Sequence, residues 1–102
     1  MSSDALACVT RHLEMGISHA DFYRIFPRVV APLIPIYQGL KTTVLWPSGG
    51  RVLVTLSAER ERRIAALSLP YVDLVFEFAD LDSGAIERFL SKFARSFHKG
   101  GG

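Results

Sequence analysis

The eight residues YVDLVFEF, Tyr71 to Phe78, restrict this chain more than any other stretch. Val72, Leu74, Phe76 and Phe78 share one parity; Tyr71, Asp73, Val75 and Glu77 share the other. Successive side chains of a strand point to opposite faces, so the run predicts a strand with one strongly apolar face and one mixed face. An apolar face of this kind is not stable in water. Removing it from solvent gains roughly 25 cal/mol per Å² of apolar area, and two phenylalanines supply much of that area. The chain must therefore provide a cover.

The cover is legible towards the carboxyl end. Asp82 or Ser83 can cap a helix there, and Ile86, Phe89, Leu90, Phe93 and Phe97 follow at helical spacing. Upstream, LKTTVLW and RVLVTLS flank the turn sequence PSGG, which predicts a hairpin. A polar break, AERE, leads into RRIAALSL as a further strand. Pro70 then divides that strand from YVDLVFEF, in preference to bending one long strand.

The amino-terminal third reads as helical. From Ser3 to about Met15, Leu6, Val9 and Leu13 recur at helical spacing, with Cys8 and His12 to one side, and Gly16 ends the pattern. Ser18 and Asp21 have the spacing of an N-cap and a first-turn acid, ahead of the stripe Phe22, Ile25, Phe26 and Val29. Pro27 should kink or end that helix near Ile25 or Phe26. APLIPIYQG follows as a stiff extended crossing. The expected fold is α+β: two N-terminal helices, an antiparallel sheet of about four strands, and a C-terminal amphipathic helix packed on one sheet face. At 102 residues it is a single domain, residues 1–102, with 99–102 as a flexible tail.

The apolar share, 49%, is high for a chain whose one small core buries somewhat over ~60% of its unfolded surface. The surplus points to self-association as a homodimer, or to another protein partner. One cysteine, Cys8, allows no intrachain disulfide, and the amino end lacks the basic start and apolar stretch of a signal peptide. The longest nearly apolar run, Val29 to Tyr37, is too short for a bilayer and holds Pro32 and Pro35. These features predict a cytoplasmic protein without membrane association.

The net charge is only +2, so no strongly basic stripe announces nucleic acid. The densest charged stretch is ERERR, Glu59 to Arg63. An anionic ligand or nucleic acid could be clamped by Arg51, Arg60, Arg62 and Arg63, with Lys41 assisting, provided the sheet brings them onto one surface. The plainer reading is a charged strand start in which Glu59 and Glu61 neutralise two of the arginines. Cys8 and His12, four apart, would share a helix face. Catalysis or metal binding there needs further partners, for which His19 and Glu14 have no recognised spacing. Asp73 and Glu77 read as a solvated edge of the strand, Asp80 and Asp82 as flanking a turn. Trp46, Tyr71 and Tyr37 would form a stacking platform only if brought together.

The sequence thus predicts a non-catalytic binding domain with no cofactor and no metal. The anion clamp is its alternative. A third reading concerns the terminal glycines, which resemble the diglycine tails of ubiquitin-like and sulfur-carrier proteins; that resemblance implies a carrier carboxylate reached through Gly101 and Gly102. Lys99 and Gly100 equally suit the last turn and cap of a helix.

Overall fold

A computed structural model describes residues 8–101, with side chains from Cys8 to His98. In chain order the elements are β1 (Cys8–Met15), α1 (His19–Val30), β2 (Ile36–Gln38), β3 (Lys41–Leu45), β4 (Arg51–Leu56), β5 (Arg60–Ile64), β6 (Leu67–Ala79) and α2 (Ser83–Gly101). The class is α+β, as expected, with the C-terminal helix in place. The sheet has six strands rather than about four, in the order β1-β6-β4-β3-β2, with β5 also on β6 and every pairing antiparallel. None of the described helices is long and apolar enough to cross a membrane.

The largest departure from expectation is at the amino end. In place of the first of two helices, Cys8–Met15 is a strand paired with β6 along its whole length, from Cys8 opposite Ala79 to Met15 opposite Val72. Residues 3–7 of the expected helix lie outside the described residues. Val9 and Leu13 explain the ambiguity: four positions is about one helical turn, but it is also an even number, so strand and helix both put them on one face. The strand prevails because β6 offers it a complete edge to pair with.

Among the described residues only one helix, α1, precedes the C-terminal one, and it follows β1. Its start follows the sequence signal closely. Ser18 Oγ accepts from the Asp21 N–H at 3.0 Å, and the Asp21 carboxylate accepts from the Ser18 N–H at 3.2 Å, a reciprocal capping box. The helix does not end at Pro27; α1 continues to Val30. Pro27 lies on the exposed side, so water can serve the carbonyl that loses its helical donor. Phe22, Ile25, Phe26, Val29 and Val30 are all buried on the other side. Burial of that stripe outweighs one missing bond.

Both helices cover the face of the sheet formed by Val52, Val54, Leu56, Val72, Leu74, Phe76 and Phe78, all buried. Phe93 meets Phe76 edge-on with ring centroids 5.1 Å apart, and Phe22 stacks on Phe26 at 4.8 Å. Asp82, rather than Ser83, caps α2 by accepting the Ala85 N–H at 2.7 Å. The PSGG hairpin forms between β3 and β4, closed by Trp46 N–H to Gly50 O at 2.7 Å. Gly50 is required there, because a Cβ would lie 2.5 Å from the Asp80 carbonyl oxygen. α2 passes through Gly100 to Gly101, and the carboxylate of Gly102 lies outside the described residues.

Pro70 does not separate two strands. It lies inside β6, which runs thirteen residues, and the turn between β5 and β6 is Ala65–Ala66 instead. Beyond Val72 the strand has left β1, and below Leu74 it has left β4, so Pro70 faces only Glu61 of β5. A proline is tolerated where its missing N–H forfeits at most one ladder bond. The β5–β6 hairpin therefore projects from the body, and the molecule measures 55 × 25 × 24 Å.

Candidate functional site

The projecting arm is built by a bulge. Leu56 pairs with Leu74, but Arg60 pairs with Tyr71, so three residues, Ser57 to Glu59, oppose two, Val72 and Asp73. One extra residue in a strand reverses the facing of everything after it. In β4 the odd positions Leu53 and Thr55 face away from the helices; in β5 the even positions Arg60, Arg62 and Ile64 do so. The bulge is held by Ser57, whose N–H donates to Asp73 O at 2.9 Å and whose Oγ accepts from the Asp73 N–H at 2.9 Å. The first turn of α1 docks on it: the His19 ring and backbone N–H reach Ser57 O and the Glu59 carboxylate, both at 2.8 Å.

This geometry divides the four arginines expected to form one anion clamp. Arg60 and Arg62 come together on the helix-free face of the arm, their guanidinium carbons 4.9 and 4.7 Å from the Tyr71 ring centroid. Arg60 forms an ion pair with Asp73, and Arg62 donates to Glu14 of β1 at 2.5 Å. Their carboxylate partners therefore come from β6 and β1, not from Glu59 and Glu61 as the local charge alternation suggests. Each pair is half-exposed and contributes up to about 1 kcal/mol. Arg63 lies on the opposite face of the arm, across from Ser68. Arg51 begins β4 opposite Ala79, eight positions along β6 from Tyr71, or about 26 Å away. Lys41 pairs with Thr55 at the other end of the β3–β4 hairpin from Arg51. The four do not converge.

Past Arg62 the arm becomes apolar. Ile64 and Leu67 are cross-strand partners and Leu69 follows on the same face; they are 53%, 62% and 44% exposed. Ala65 makes the turn with φ +57°, a conformation normally given to glycine. The result is a ribbon whose base is charged and whose end is greasy. The Arg cluster was legible in the sequence, but Ile64, Leu67 and Leu69 were not. They look like ordinary strand residues until the rest of the sheet fails to reach them.

The remaining candidates separate. On β1, Cys8 and His12 share the helix-free face but are about 13 Å apart, too far for a nucleophile and its base. Cys8 is an exposed free thiol. Among the described residues no group of three His, Cys, Asp or Glu side chains could hold a metal. The aromatics form no common platform: Trp46 abuts Phe89 at 6.1 Å, Tyr37 abuts Tyr23 at 5.3 Å, and Tyr71 underlies the arginines.

An apolar cleft was missed from sequence. Between the end of α1, the Trp46–Pro47 turn and the first half of α2 lies an apolar cleft of about 360 Å³, with Arg88 and Lys92 on its α2 side. Its trace in the sequence is the spacing Arg88, Lys92, Arg95 along the polar side of the phenylalanine stripe.

No protein-family model, no curated protein and no solved structure matches this chain.

Proposed function

We propose that the protein is a small cytoplasmic, non-catalytic binding domain that self-associates as a homodimer through the β5–β6 arm. One observation carries this reading: a two-stranded ribbon leaves the body with Ile64, Leu67 and Leu69 exposed on one face. An isolated hairpin is marginal in water, and an open edge bearing apolar side chains is a template for another strand.

The edge of β5 suits a second copy of itself. Antiparallel pairing centred on Arg62 sets Glu61 opposite Arg63 of the second copy, and the same pair recurs across the twofold axis. Arg60 then faces Ile64, and the two central Arg62 side chains are each already engaged by their own Glu14. The tip of each arm would then lie beside the base of the other, with Ile64 against the aliphatic stem of Arg60 of the second copy. An anion clamp has less support, since Arg60 and Arg62 are committed to carboxylates and Arg51 and Arg63 lie elsewhere.

Sedimentation equilibrium of the full chain should show a dimer at micromolar concentration. Glu61→Arg should weaken it by more than about tenfold, through two like-charge pairs, and Glu61→Arg with Arg63→Glu should restore it. A monomer throughout, or a charge swap without rescue, removes the proposal.

A further inference from the structure

We infer that the cleft beside Trp46 is a binding site for a small amphiphilic carboxylate, its apolar body against Trp46 and Phe89 and its anionic head held between Arg88 and Lys92.

The walls come from three separate elements, each fixed by the fold. Val30 ends α1, and its carbonyl accepts the Leu33 N–H at 2.8 Å, which sets the turn that brings Leu33 to the cleft. Trp46 is held by the hairpin closure to Gly50, and Phe89 is anchored in the core between Phe76, Phe78 and Phe26. The shape therefore exists before any ligand arrives, which lowers the ordering cost of binding. About 360 Å³ is at the small end of ligand pockets, ~300–1,000 Å³, so the occupant is a medium-chain or single-ring molecule.

The two charged residues that line the cleft are of one sign. Arg88 and Lys92 lie one helical turn apart on α2 and so share one side of the helix, with the Arg88 guanidinium reaching back over Gly84. No carboxylate lines the cleft, and neither cation forms an ion pair among the described residues. By contrast, Arg11, Arg24, Arg60 and Arg62 each have a carboxylate within bonding distance. Two uncommitted cations above an apolar floor select a ligand that is apolar at one end and anionic at the other. A neutral alkyl chain would gain the floor without the rim; a bare phosphate would gain the rim without the floor.

Trp46 is the sole tryptophan, so its fluorescence reports the cleft directly. Titrating the full chain with sodium decanoate, below its micellar range, should give a saturable change, and decanol should need at least tenfold more ligand for the same change. Arg88→Gln with Lys92→Gln should remove the preference for decanoate and leave the decanol response in place. Ala85→Leu, which fills the cleft from a helix position that accepts leucine, should abolish both responses. A response that does not saturate, equal midpoints for decanoate and decanol, an unchanged preference in the double variant, or binding that survives Ala85→Leu would each overturn the assignment. None of these outcomes depends on the arm or on dimerisation.

Discussion

His19 donates its Nε2–H to the carbonyl of Ser57 across 2.8 Å, joining the first turn of the first helix to the bulge that launches the arm. A carbonyl only accepts, so Nε2 is the donor in this contact. Through this contact a residue thirty-eight positions upstream holds Ser57 in place, and Ser57 in turn holds Asp73 by two hydrogen bonds. The bulge is therefore braced from both sides, by β6 and by α1.

Replacing His19 with Ala should remove one partly buried hydrogen bond and cost about 1 kcal/mol in urea unfolding. The effect should be directional: amide hydrogen exchange should accelerate in Arg60 to Tyr71 more than in β3 and β4. Uniform acceleration would show that His19 supports the core generally and not the base of the arm.

The capping box makes a pH-dependent contribution. The Ser18 N–H, and to a lesser degree Arg24, hold the Asp21 carboxyl below the usual carboxylate range, against an opposing effect of burial. A lowered folded value means the stabilisation is complete above the unfolded value, near ~4, and is lost as the pH falls through the folded one. Asp21→Asn should be about 1 kcal/mol less stable than the parent at pH 7. That gap should close on acidification below about pH 4. A gap unchanged at pH 3 would trace the loss to packing instead of charge.

Among the described residues, Thr42 is the one buried polar side chain on the helix-covered face of the sheet. Its hydroxyl oxygen is fully buried and meets no hydrogen-bond partner. Thr42→Val keeps the shape, removes the unmet hydroxyl and suits a strand, so it should stabilise the fold by about 1 kcal/mol. Thermal unfolding measures this directly. A destabilised variant would mean that the hydroxyl finds a partner in solution.

Much of the fold is written locally. The alternation of YVDLVFEF, the PSGG hairpin, the Ser18–Asp21 and Asp82 caps, and the four-residue spacing of Phe89, Phe93 and Phe97 each follow from short-range geometry. Each appears where it was expected. The candidate site was less legible. Arg60 and Arg62 were identifiable as a charged cluster, but their partners Asp73 and Glu14 are thirteen and forty-eight residues away. The cleft at Trp46 draws on three elements that no sequence window spans.

What the sequence by itself determined is which side chains must be buried together, because periodicity decides which residues share a face. What only the tertiary structure decided is where pairing stops. β1 is a strand because an edge of β6 was free to take it, and Pro70 is accepted because nothing but β5 reaches that far along β6. The arginines face as they do because three residues oppose two at the bulge. Strand pairing is a contest between distant segments for the same backbone hydrogen bonds, and no local pattern records its outcome.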